Sequence, residues 1–300
     1  MNRRKFFGQL SLLSTAGLIG IPNDAEASKK LFFKISLAQW SFEKSLKSGK
    51  LNALEFPVKA RKEFGIDAVE YVNQFFKDKA KDLSFLKELK GRCNDNGVKS
   101  LLIMIDGEGH LGDTDASGRT KAIENHYRWV DAAQYLGCHS IRVNCAGTGT
   151  PDEVAAAGKD GLGRLSEYGK KAGINVIVEN HGGYSSNGKW LTNVIKSVGM
   201  SNCGTLPDFG NFDLGNNTWY DRYQGVEEMM PFAKAVSAKS YEFDSQGNCT
   251  TIDYARMLQI VKAAGYRGYI GIEYEGTVLS EEDGVRATQR LLEREGAKLS

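Results

Sequence analysis

Val178-Glu179-Asn180-His181-Gly182-Gly183 closes an apolar run on an acid and then turns on glycine. Two later stretches repeat the pattern: Leu206-Pro207-Asp208-Phe209-Gly210-Asn211 and Gly271-Ile272-Glu273-Tyr274-Glu275-Gly276. In each, a carboxylate stands where a buried strand would emerge into a loop. Acids on separate strand ends converge only if the strands run parallel and the sheet curls. That is the geometry of a (β/α)8 barrel, whose sites lie at the C-terminal ends of the strands.

The rest of the chain fits that reading. Apolar, strand-like runs are expected at 34–40, 68–72, 98–105, 140–145, 174–180, 204–209, 235–241 and 269–274. Amphipathic stretches at 51–64, 83–94, 119–136, 152–172, 190–198, 220–232 and 253–264 alternate with them, and a last helix is expected over 281–295. Gly65, Gly97, Gly137, Gly173 and Gly265 each stand between a helix end and the next strand, as left-handed caps do. Alternating strands and helices imply parallel pairing, and eight such units imply closure into a single (β/α)8 TIM barrel. No linker or low-complexity segment divides it.

The N-terminus reads differently. Asn2-Arg3-Arg4-Lys5-Phe6-Phe7 is a twin-arginine start, residues 10–21 are apolar, and Ala25-Glu26-Ala27 has the form of a cleavage site. Residues 1–27 are therefore expected to be a Tat signal peptide cleaved after Ala27, and residues 28–300 the barrel. The Tat translocon is then a partner during export, and the mature chain is expected to be periplasmic or otherwise exported. The formal charge is only +2, without a basic run, which excludes a nucleic-acid surface. Five scattered cysteines match no zinc spacing and read as buried core thiols.

Glu179, Asp208 and Glu273 are the candidate metal ligands. Carboxylate oxygens suit hard cations such as Mg2+ or Mn2+, and an added imidazole would widen the choice to Zn2+ or Co2+. Packed carboxylates repel one another unless a cation or protons intervene. The competing reading makes each acid an independent cap or ion pair. His181 lies two residues past Glu179 and titrates near neutrality, which suits acid/base work. Lys239, on the seventh strand, would stabilise an enolate oxygen or pair with one of the acids. Trp40, Gln39, Glu70 and Asn144 are expected to line the same mouth as substrate-binding groups. The Gly-rich segment 106–113, which holds His110, is expected to be a lid.

These motifs resemble the xylose-isomerase-like TIM barrels of the sugar phosphate isomerase/epimerase superfamily. The likeness covers residues 31–300 and is carried by Gly65-Ile66-Asp67-Ala68-Val69-Glu70, Val178-Glu179-Asn180-His181-Gly182, Pro207-Asp208-Phe209-Gly210-Asn211 and Gly271-Ile272-Glu273-Tyr274. In such families a Glu, an Asp, a His and a Glu at the ends of strands five to eight hold a divalent ion. The resemblance gives Glu179, Asp208 and Glu273 three of those places. Ser237, in Val236-Ser237-Ala238-Lys239, stands where the His would be. The implied cofactor is Mn2+, Mg2+, Co2+ or Zn2+, and the implied ligand a small carbohydrate. The implied reaction is proton abstraction beside a carbonyl, with Glu179 and Glu273 as proton-transfer pair. Elimination from a 3-keto-glycoside, or sugar binding without catalysis, are the alternatives. A nuclease of the same fold is disfavoured by the charge and by a total of four histidines.

Overall fold

The computed structural model describes residues 30–300, so the expected signal peptide lies outside the described residues. Eight parallel strands form the barrel: β1 Lys34–Ala38, β2 Ala68–Val72, β3 Lys99–Met104, β4 Ser140–Val143, β5 Asn175–Glu179, β6 Cys203–Leu206, β7 Val236–Ser240 and β8 Tyr269–Tyr274. Helices follow them in turn: α1 Phe56–Phe64, α2 Leu83–Asp95, α3 Ala116–Leu136, α4 Pro151–Ala172, α5 Gly188–Val198, α6 Arg222–Met229, α7 Tyr254–Ala263 and α8 Glu281–Lys298. Ladders run from β6 back to β1 and on through β8 to β7.

Closure falls between β6 and β7 and is irregular. Pro207 has no N–H to donate, so a regular ladder stops there. Single bonds complete the ring: Lys234 N to Thr205 O (3.1 Å), Ser237 N to Pro207 O (2.9 Å) and Phe209 N to Ser237 O (3.1 Å). The protein is a single (β/α)8 barrel.

Alternation along the strands sorts the side chains into two cores. Leu37, Val69, Ile103, Ile141, Val143, Val176, Val178, Val236 and Ile272 pack outward with the helices. Ala38, Val72, Leu102, Met104, Ile177 and Leu206 form a separate cluster on the opposite, inner positions. Polar residues share that inner parity: Ser36, Glu70, Arg142, Glu179, Ser237, Lys239 and Glu273, all buried. A strand such as Ser140-Ile141-Arg142-Val143 therefore builds the hydrophobic shell with one face and supplies chemistry with the other.

The glycine caps appear as expected. Gly65, Gly137 and Gly173 take φ of 70°, 84° and 71°, the left-handed region that costs a residue without Cβ little. All five cysteines are free and buried. Two expectations change. The segment 106–113 is packed rather than lid-like: buried Glu108 accepts from Arg128 Nη2 (2.5 Å) and Trp129 Nε1 (2.8 Å), and Gly112 N donates to Ala146 O (2.9 Å). The stretch before β7 also carries an unforeseen antiparallel hairpin, Asp213–Gly215 with Thr218–Trp219. Asn216 and Asn217, at φ 52° and 57°, make its turn. Asparagine tolerates that region better than most residues, which makes Asn-Asn a hairpin signal.

Candidate metal centre

Glu179 ends β5, Asp208 follows β6 and Glu273 is the penultimate residue of β8. Each contributes one oxygen to a cluster in which the three atoms lie within 4.8 Å of one another. All three residues are buried. The local sequence explains the aim of each. Asn180 Oδ1 accepts from Asp208 N (2.8 Å), while its Nδ2 donates to Asp208 O (3.0 Å) and Asn211 O (2.9 Å). Asn180 thus clamps the loop after β6 to the end of β5. Asp208 Oδ1 then accepts from Gly210 N and Asn211 N, each at 2.8 Å, leaving Oδ2 for the centre.

Ser237 fills the gap between two of the acids. Its Oγ lies 2.7 Å from Asp208 Oδ2 and 2.9 Å from Glu273 Oε2. A hydroxyl carries one proton and can donate to only one of them. The other contact needs a proton on the carboxyl or a cation in the cluster. Burial raises the pKa of Asp208 against the pull of Lys239, and the charges of Glu179 and Glu273 raise it further. Burial likewise raises Glu179, against the pull of Arg142. The cluster holds more negative charge than its surroundings neutralise.

Two buried cations flank it. Lys239 Nζ contacts Glu273 Oε1 (2.9 Å) and Glu275 Oε1 (2.8 Å), with Asp208 Oδ2 at 3.9 Å. Burial disfavours ionisation of Glu273, yet Lys239 overrides it and holds that carboxyl below its ordinary value. Arg142 reaches in from β4, with Nη1 on Asp106 Oδ1 (2.8 Å) and Nε 2.7 Å from Glu179 Oε2. That second contact lacks an aligned N–H: neither Arg142 Nε nor Glu179 Oε2 has a hydrogen-bond partner. A buried carboxylate oxygen without a hydrogen bond is costly. Here the Arg142 charge offsets part of that cost. Three buried carboxylates with oxygens within 4.8 Å of one another, and surplus negative charge, therefore fit a hard divalent ion.

The other expected residues are spread around this centre. His181 is exposed at the mouth, yet the protein around it partly desolvates the ring, and this, with the Arg142 charge, lowers its pKa. It lines a cavity of about 260 Å³ with Gly182, Asn211, Asp213, Trp219 and Tyr241. Trp40 is half-buried against Phe75, with ring centroids 5.9 Å apart, and borders a separate cavity of about 300 Å³ with Tyr274 and Glu275. Gln39 is buried and accepts from Val72 N (2.9 Å). Asn144 donates to Asp106 Oδ1 (2.7 Å), so it steadies the partner of Arg142. Glu70 lies inside the barrel rather than at the rim. Its Oε1 accepts from Ser36 Oγ (2.6 Å), and a side chain at Gly271 would come within 2.6 Å of it. Arg142, Asn211 and Asp106 are site residues that the sequence reading passed over. Arg142 had a signal: a cation at the inner parity of an otherwise apolar strand.

The fold and the site define a class: (β/α)8 barrels with a carboxylate cluster at the C-terminal mouth. The chain belongs to the Xylose isomerase-like TIM barrel family, whose profile matches residues 58–295. No curated protein matches the sequence. Among solved structures it is similar to 3-keto-D-glucoside 4-epimerase, YcjR, from E. coli (TM-score 0.65, 15% identity, covering 88% of this chain and 100% of that one). It is also similar to L-ribulose 3-epimerase (TM-score 0.68, 14% identity, 89% and 96%). The IOLI protein, solved with a bound zinc atom, is a third (TM-score 0.69, 15% identity, 89% and 99%).

Proposed function

We propose that this chain is an exported sugar isomerase or epimerase that removes a proton next to a carbonyl of a sugar or keto-sugar. The observation that carries the reading is the convergence of Glu179, Asp208 and Glu273 at the mouth of a barrel of this family. The sugar epimerases among its structural neighbours support the substrate class. Glu179, Asp208 and Glu273 would hold a divalent cation through oxygen, with Ser237 beside two of them. When bound, such an ion supplies Lewis-acid polarisation of a carbonyl oxygen.

The protein's own groups do the rest. Glu179 and Glu273 come from different strands, β5 and β8, and each brings an oxygen to the same cluster. One takes the proton and the other returns it, which inverts or relocates a stereocentre. Lys239, kept cationic by Glu273 and Asp208 despite burial, stabilises negative charge developing on the substrate. Arg142 holds Glu179 in place from behind. His181, at the open rim, reaches a substrate hydroxyl. Export through the Tat pathway, directed by residues 1–27, belongs to the same proposal. N-terminal sequencing of the exported protein should begin at Ser28.

The test is a solvent-deuterium screen over keto-sugars with metal-reconstituted protein, read by NMR. Deuterium should enter the recovered substrate at the carbon beside the carbonyl. Turnover with neither deuterium uptake nor a primary isotope effect at that carbon would falsify the mechanism.

A further inference from the structure

We propose that Trp219 is the stacking platform for the substrate, and that the keto-sugar it selects is bound as a closed pyranose ring, its reacting carbonyl a ketone of that ring, rather than as an open chain. The inference rests on the carbohydrate reading above and extends it to the form of the ligand.

Trp219 is 61% exposed at the barrel mouth. The other three tryptophans are covered. Trp129 is buried, Trp40 packs on Phe75 with Lys47 Nζ 4.9 Å from its ring, and Trp190 packs on Tyr184 while donating to Pro151 O (3.0 Å). An open indole that lines a cavity together with convergent polar groups has the make-up of a ligand site. The hairpin that carries it is held at its root. Asp213 pairs with Trp219 across the two strands, and Tyr220 N donates to Phe212 O (2.9 Å). Phe212 is buried so tightly on Gly225 that a Cβ there would come within 2.3 Å of the ring. The backbone that carries the indole is therefore anchored.

Its position ties it to the chemistry. Trp219 shares its cavity with Gly210 and Asn211, whose N–H groups fix Asp208, and Asn211 Nδ2 also donates to Glu179 Oε1 (3.2 Å). The carboxylates do not line this cavity themselves; Asn211, which does, joins it to Asp208 and Glu179. His181, Asp213 and Tyr241 place hydrogen-bonding groups around the same space. The volume of about 260 Å³ suits one sugar ring. The face of an aromatic ring carries negative potential and attracts weakly positive C–H edges. A pyranose with equatorial hydroxyls gathers its axial C–H bonds on one flat face. An open chain has the same hydroxyls but no such face, and it must lose torsional freedom to make one.

Two probes of the same configuration from C2 to C5 separate the cases: methyl β-D-glucopyranoside, locked as a ring with four hydroxyls, and D-glucitol, an open chain with six. Saturation-transfer NMR titrations would compare native protein with Trp219→Ala and Trp219→Phe, after thermal melts show that the variants fold. The glucoside should bind the native protein at least tenfold more tightly than glucitol. Trp219→Ala should remove that preference, and Trp219→Phe should keep part of it. Equal affinity for the two probes, or native-like glucoside binding by Trp219→Ala, overturns the platform. If deuterium exchange into a keto-sugar persists in that case, the enolisation reading stands alone. If the native protein neither binds sugars nor exchanges, both fall.

Discussion

Replacing Glu70 with Gln should cost a little stability near pH 5 and stabilise the protein near pH 8. Glu70 is buried inside the barrel, with Ser36 Oγ on one oxygen and nothing on the other. Burial first, and then the charges of Glu273 and Glu179, push its carboxyl from 4.5 up to about 8, with Ser36 and Arg142 pulling the other way. The group is neutral in the fold at pH 7 and ionised in the unfolded chain. Between those two values the unfolded state binds fewer protons, so stability falls as pH rises. At about 1.4 kcal/mol per pH unit, the loss across that window is roughly 5 kcal/mol, and it levels off above the folded value. Gln has nearly the same shape and cannot ionise. Its amide NH2 replaces an oxygen that has no partner, which offsets about 1–3 kcal/mol of the gain. Urea unfolding of chelator-treated protein, at matched m-values from about pH 5 to pH 9, measures the difference. The variant should lie roughly 0–2 kcal/mol below the native protein near pH 5 and roughly 1–3 kcal/mol above it near pH 8. Parallel curves for the two proteins would show that Glu70 is ionised in the fold and that its burial costs less than argued.

Glu179→Gln and Glu273→Gln should each lower the deuterium-exchange rate by at least the roughly 10²–10⁴-fold of a lost general base. In metal-free protein the Glu179→Gln change should be neutral or stabilising in thermal melts, because it removes charge from a repulsive cluster. Lys239→Met should behave oppositely. It strands Glu273 and Glu275, so a loss of about 3–5 kcal/mol in chemical denaturation is expected, as for other broken buried ion pairs.

Much of the barrel was legible because its signals are local. Each cap glycine marks a helix end, and each apolar run has the length of a strand. Acids placed just before glycine turns disclosed three strand ends at once. The hairpin carrying Trp219 escaped because its strands are two and three residues long, too short to show alternation. The lid expectation for 106–113 failed for a different reason. Glycine content signals a turn, whereas anchoring depends on Arg128 and Trp129, which lie a helix turn or more inside α3. Glu70 was expected at the rim with the other polar residues. Which level of the barrel a strand residue occupies depends on register, and the ladder between β2 and β3 shifts at Val69/Glu70.

The seam of the barrel and its candidate site coincide, and one cause serves both. A regular ladder between β6 and β7 would commit the backbone of residues 207–209 to straight strand geometry. Pro207 interrupts it, and the chain beyond is free to curl so that Asp208 accepts from the N–H groups of Gly210 and Asn211. The ring is then closed by bonds that run through the site itself: Ser237 N to Pro207 O and Phe209 N to Ser237 O. Ser237 thereby spaces β6 from β7 with its backbone while its hydroxyl spans Asp208 and Glu273. A bulkier residue there would have to fit between two carboxylates and across the closure at once. Position 237 thus joins the closing of the barrel to the carboxylate cluster.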